Sequence, residues 1–161
     1  MASVELSLRG YAEVKRLLDK LAKFGIDNTP LFFEIGFFLQ SQIKYRTSIG
    51  FDADGDDFKP YSTRYAAYRK SKGLPIDIVD LFFTGSMLSS MSFTAEQDKV
   101  RLFFQSTTDK FGGYNPLKAY FINEDQGREF FAMSSEDMDS VINSTTQALE
   151  ILIEKVEKAN A

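Results

Sequence analysis

Residues 30 to 46 carry more large apolar side chains than one face of a helix can hold, and that excess restricts every arrangement open to the rest of the chain. Asn28 or Thr29 ahead of Pro30 supplies the helix start, because a side-chain oxygen can accept from free N–H groups and proline is tolerated in the first turn. At about 100° per residue, Phe32, Ile35, Phe38, Leu39 and Ile43 fall on one face. Phe33 and Phe37 point well away from its centre. A helix with two apolar faces needs two partners. It either sits centrally in its own domain or turns one face toward another subunit, and Phe33 and Phe37 are the candidate contact residues for the second arrangement.

The remaining periodicities build a domain around that helix. Val4, Leu6 and Leu8 alternate with polar residues as in a half-buried strand ended by Gly10. Residues 11 to 24 change to helical spacing, with Val14, Leu17, Leu18, Leu21 and Phe24 on one stripe and Gly25 at the close. Residues 50 to 61 form a loop rich in Gly and Asp, after which Ser62 or Thr63 caps a short helix to about Lys72. Thr84 and Gly85 introduce another helical turn. Met91 to Ala95 and Lys99 to Leu102 alternate on either side of Glu96 to Asp98, which predicts a hairpin. A helix is predicted from about Leu117 to Gln126, stopped by Gly127.

The last helix has the strongest pattern. Ser134 caps it, Glu136 and Asp137 suit its positive end, and Lys155 and Lys158 suit its negative end. Met138, Val141, Ile142, Thr145, Leu149, Leu152 and Val156 make one narrow stripe. With 161 residues and no repeat or linker, the expectation is a single domain over 1–161. Its class is α+β, a small, mostly antiparallel sheet with helices packed on one side and a long C-terminal helix.

Composition narrows the chemistry. The chain has 16 Phe but no Cys, His or Trp, so a disulfide, a thiol nucleophile and an imidazole base are all excluded. Metal binding could draw only on oxygen ligands. Asp52, Asp54, Asp56 and Asp57 around Gly55 superficially suggest a calcium loop, but Asp57 and Thr63 stand where an EF-hand needs Gly and a bidentate Glu. The cluster therefore reads as a solvated acidic turn and not a metal site. Many Ser and Thr residues are present without a base at recognisable spacing, Gly112-Gly113 lacks the partners of a phosphate loop, and Asp77 and Asp80 read as surface charge. No catalytic set and no cofactor site is expected.

The segment from Lys59 to Lys72 interleaves Lys59, Arg64, Arg69, Lys70 and Lys72 with Tyr61, Tyr65 and Tyr68 and contains no acid. Such a pattern can meet phosphates and bases, or acidic surface on a protein partner. The formal net charge of -4 favours the protein partner, since the whole-molecule field repels nucleic acid and anionic bilayers. No segment approaches the apolar length of a membrane span, and Met1 to Gly10 lacks the features of a signal peptide, so a soluble protein made in the cytoplasm is expected.

Three landmarks in order carry a resemblance. The first is Phe51-Asp-Ala-Asp-Gly55-Asp-Asp-Phe58-Lys-Pro60-Tyr-Ser62. The second is Leu81-Phe-Phe-Thr84-Gly85-Ser-Met-Leu88, and the third runs from Gln126-Gly127-Arg128 through Phe130-Phe131 to Ser134 and Asp137. Together, over about residues 28 to 158, they resemble the bacteriophage virion morphogenesis family of tail completion or head-to-tail joining proteins. Phe58 stands where the family usually has Trp, and the family's His before the Gln-Gly element is missing.

The resemblance implies a non-enzymatic structural part of the virion. It would be a homo-oligomeric neck ring, commonly sixfold, that completes the tail and joins it to the head connector. Partners would be other neck and tail proteins, namely a connector or adaptor, a tail terminator and the tail tube. DNA would pass nearby without specific binding, and no membrane would be involved. A tail terminator ring is the nearest alternative, and a non-viral binding module with an acidic cation-binding loop lies further off. In the virion setting Phe51 and Phe58 become candidate anchors into a neighbour, with Tyr61, Arg64, Arg69, Lys70 and Lys72 as a charged contact.

Overall fold

The computed structural model describes residues 3–7 and 12–160. The chain is α+β, with three antiparallel strands in the order β1-β3-β2 and helices against the sheet. Strand β1 (Ser3–Ser7) is followed by helices α1 (Ala12–Ala22), α2 (Thr29–Ser48), α3 (Thr63–Ser71) and α4 (Ser86–Ser89). The hairpin β2 (Met91–Ala95) and β3 (Lys99–Phe104) comes next. Helix α5 (Asn115–Tyr120) continues into a π-helical turn at Phe121–Asp125, and α6 (Ser135–Ala159) closes the fold. The expected positions of Leu8, Gly10 and Tyr11 lie outside the described residues.

The hairpin pairs Met91 with Phe104, Phe93 with Leu102 and Ala95 with Val100, and β1 runs along the other edge of β3. Val100, Leu102 and Phe104 are buried while Arg101 is exposed, as alternation across one covered face requires. Burial of each such side chain is worth about 1.5–3 kcal/mol. Helix α2 lies on that face. Its Gly36 permits the close approach, because a Cβ built there would run into the ring of Phe93, and Gln40 Nε2 donates to Met91 O at 2.6 Å.

Helix α6 packs on α1. Val14, Leu17, Leu18 and Leu21 of α1 are buried, as are Val141, Thr145, Leu149 and Ile153 of α6. Met138, Ile142, Leu152 and Val156 are half-buried, so the covered stripe is wider than the sequence suggests and centres nearer Ile153. Lys20 Nζ and Glu157 Oε1 pair at 2.6 Å across the two helices. At the start of α6, Ser134 Oγ accepts from Asp137 N and an Asp137 carboxylate oxygen accepts from Ser134 N, a reciprocal cap.

Four local expectations need correction. Phe24 lies beyond the end of α1 in the turn at Gly25 and is exposed. The start of α2 is held by Asp27, whose carboxylate accepts from Thr29 N, and Asn28 makes no side-chain cap. Phe38 lies at the edge of the core face and is partly exposed, because the buried side of α2 centres on Phe32, Leu39 and Ile43. The helix expected over 117–126 begins at Asn115 and loosens into the π-helical turn after Tyr120.

Candidate functional site

The outer side of α2 presents rings to solvent. Phe33 and Phe37 are 58% and 61% exposed, and Phe38, Tyr45 and Ile49 continue the apolar surface toward the C-terminal end of the helix. Phe33 also packs edge-on against Phe93, with centroids 5.0 Å apart. The two faces anticipated from the spacing are thus filled differently. One forms the core and the other meets solvent in the isolated chain.

The acidic loop is built by its own first carboxylate. Asp52 Oδ1 accepts from both Asp54 N and Asp56 N at 2.9 Å, and a backbone bridge joins Phe51 to Asp57. Ala53 N donates to Glu129 O, which ties the loop to the approach to α6. Asp54, Asp56 and Asp57 are exposed, and the described residues contain no group of three or more acidic side chains placed to hold a metal. Phe51 is half-buried. Phe58 is 5% exposed and belongs to the core, where it plugs the space under the loop; the expectation that it anchors a neighbour is therefore overturned.

The basic segment divides. Arg64 and Lys70 on α3 and Lys72 just past its end are exposed, Lys72 with its ammonium over the Tyr68 ring, and none of the three pairs with a carboxylate among the described residues. Arg69, by contrast, is 1% exposed. Its Nε donates to Pro75 O, Nη1 to Phe82 O and Nη2 to Asp80 Oδ1, at 2.9, 2.7 and 2.8 Å. Asp80 Oδ1 also accepts from Tyr61 Oη and Phe82 N. Arg69 is thus an internal bracket for the irregular segment 75–82 and is unavailable to a partner, and Asp80 is its counter-ion, not free surface charge.

Beside this bracket lies a cavity of about 490 Å³ lined by Lys59, Pro60, Tyr61, Ser62, Tyr65, Arg69, Leu81, Ile122, Gln126 and Arg128. Arg128 holds the turn that carries Lys59: its Nε and Nη2 donate to Lys59 O, Nη2 also to Pro60 O, and Nη1 to Gln126 Oε1. Burial holds the Arg128 guanidinium below its ordinary pKa, partly offset by Tyr61 and Tyr65. Both guanidinium carbons lie against the Tyr61 ring, Arg69 at 4.4 Å and Arg128 at 5.5 Å from its centre. Burial pushes the Tyr61 phenol up to about 12, with Arg69 opposing and Asp80 adding to the shift, so it stays neutral at physiological pH.

A second hollow of about 320 Å³ adjoins the first and shares Tyr65, Leu81, Ile122 and Gln126 with it. Its walls are mostly apolar, from Phe83, Met87, Leu88 and Phe121. Leu81, at the junction, is the only described residue other than glycine with positive φ, at 50°. Above the hollows a series of rings runs from Tyr61 through Tyr65, Tyr68 and Phe83 to Phe111, with neighbouring centroids 5.2 to 6.4 Å apart.

The structure brings Tyr61 and Arg69 together and leaves Phe33, Phe37, Arg64, Lys70 and Lys72 on separate exposed surfaces. Sequence reasoning missed that Arg128 and Phe83 share one groove with Lys59, and that Asp80 is the counter-ion of Arg69 beside it. The absence of any acid from Lys59 to Lys72 was the available signal for its charge. Compared with known proteins, the sequence matches no family model, no curated protein and no solved structure. No described helix is long and apolar enough to cross a membrane.

Proposed function

We propose that this chain is a structural subunit of a tailed-phage neck, assembling as a homo-oligomeric ring that completes the tail and joins it to the head connector. The family resemblance of the three sequence landmarks suggests the setting. The observation that carries the assembly part is the outer face of α2, where Phe33, Phe37 and Tyr45 are each more than half exposed in the isolated chain. Large rings that lie on solvent in a monomer and cluster along one helix are the usual content of an interface centre, where a buried aromatic is worth about 2 kcal/mol or more. The exposed acids Asp54, Asp56 and Asp57 and the exposed bases Arg64, Lys70 and Lys72 provide surfaces of opposite sign for a head-to-tail contact.

The test is particle mass in solution. Changing Phe33 and Phe37 together to Ser should reduce a multi-subunit particle to monomers with an unchanged circular dichroism spectrum. A wild-type chain that stays monomeric at high concentration and in the presence of tail tubes would refute the reading.

A further inference from the structure

We propose that the groove between α3 and the α5 π-helical turn is a docking site for a partner polypeptide segment that places an acidic side chain against Lys59 and Arg128 and an adjacent large apolar side chain in the hollow of Leu88 and Phe121. The inference rests on the groove and not on the neck assignment, since it requires no ring.

The first ground is an uncompensated pair of cations. Arg128 grips the backbone of Lys59 and Pro60, which draws two positive side chains to one wall. The Lys59 ammonium folds over the same turn, for a Cβ at Gly127 would come within 3.1 Å of Lys59 Nζ. No carboxylate lines this cavity, and neither cation has an acidic partner among the described residues. Asp80, the counter-ion of Arg69, is already committed to Arg69, Tyr61 and Phe82 N. Tyr61 stays neutral and cannot serve instead. Holding like charges together beside a partly desolvated guanidinium is unfavourable until an anion arrives, and a carboxylate is the protein group that matches a guanidinium and an ammonium at once.

The second ground is the continuation of the cavity. Past the shared rim of Leu81 and Ile122 the two unpaired cations give way to a mostly apolar lining whose charged groups, Asp109 and Lys118, are paired with each other, and Phe121 and Tyr65 remain substantially exposed there. A small inorganic anion would use only the first cavity and leave these rings in water. A chain segment with neighbouring acidic and apolar side chains uses both, and Tyr61, Tyr65 and Phe83 line its path with flat surface.

The full-length chain is titrated with a dye-labelled synthetic peptide of sequence Gly-Asp-Glu-Leu-Phe-Gly and, in parallel, with the same peptide carrying Asn and Gln for the acids, following fluorescence anisotropy. The acidic peptide should bind saturably and the amide peptide at least about tenfold more weakly, with binding of the acidic peptide falling as salt rises. Lys59→Gln should weaken the acidic peptide about tenfold, and Phe121→Ser should weaken both peptides by a similar factor. Both residues are on the surface, so these variants should fold, as circular dichroism would check. Equal affinity for the two peptides, no effect of Lys59→Gln, or no saturation at millimolar peptide would each overturn the proposal. Full displacement of the peptide by low-millimolar inorganic phosphate, with Phe121→Ser silent, would also overturn it, since the groove would then be a small-anion site.

Discussion

Helix α6 and the stretch from Lys59 to Leu88 are of similar length and are held by opposite means. The helix is fixed by side chains of repeating apolar type: Val141, Thr145, Leu149 and Ile153 bury one after another against its neighbours. The stretch contains only α3 and the single-turn α4 as regular structure, and between them its backbone is tied by one guanidinium to Pro75 O, Phe82 O and Asp80. Distributed apolar contact tolerates the loss of any one member because the others remain. A single polar bracket concentrates the same task in one residue, and its failure leaves buried polar groups without partners.

The contrast predicts that the largest loss of stability from one substitution lies in the irregular stretch. Arg69→Ala removes three hydrogen-bonded contacts, strips Asp80 of its cation, and should cost about 4 kcal/mol, in the range for breaking a buried pair. Urea denaturation would measure it. Arg69→Met, which restores volume but not hydrogen bonds, should recover only a small part. A loss below about 1 kcal/mol would show that segment 75–82 is held by its apolar residues after all.

Leu149→Ala tests the other arm. The side chain is fully buried at the middle of α6, and its truncation should cost about 3 kcal/mol through lost transfer energy and the cavity left behind. A smaller step on the same helix is Ser134→Ala, which removes the acceptor for Asp137 N and one half of the reciprocal cap. It should cost about 1 kcal/mol. Asp137 also pairs with Arg46 at 2.6 Å, and Arg46 donates to Ala132 O, so the helix start has a second tie that Ser134→Ala leaves in place.

How much of this was legible in the sequence follows the same division. Every helix and strand among the described residues was placed within a few positions, because period and capping are local signals, and Ser62 and Ser134 do cap α3 and α6. Phe33 and Phe37 were separable from the core face by angle alone. What local pattern could not show is where a side chain of ambiguous character ends up. Arg69 and Lys70 are neighbours of the same charge on one short helix, yet one is internal and the other wet. The difference is set by the carbonyls of Pro75 and Phe82, whose position depends on the turns of a loop with no period. Phe58 and Phe51 divide in the same way: both flank an acidic turn, but the bridge from Phe51 to Asp57 and the Phe58 N–H bond to Gly50 O turn Phe58 inward. The groove was hidden for a simpler reason, since Lys59 and Arg128 are 69 positions apart and meet only when the chain has folded.

The smallest expected effect sharpens the bracket from its edge. Tyr61 donates to Asp80 and lies against Arg69, and burial raises its phenol from an ordinary value of 10.0 to about 12. A group whose pKa is higher in the folded state holds its proton more tightly there, so its contribution to stability is complete below pH 10 and drains away as the pH rises toward about 12. Lys44, whose ammonium burial holds below its ordinary value, adds an alkaline dependence of its own, and the useful quantity is therefore the difference between wild type and Tyr61→Phe. At neutral pH that substitution deletes one hydrogen bond at 3.2 Å and should cost about 1 kcal/mol or less. Between pH 10 and about 12 the gap should close, because the wild type loses the advantage of its protonated phenol while the variant has none to lose. Urea midpoints at neutral pH and across that window, together with the near-ultraviolet tyrosinate absorbance of the two proteins, would follow it. A gap that stays constant across the window would mean that Tyr61 ionises as freely as a phenol in water and that the bracket around Arg69 is open to solvent.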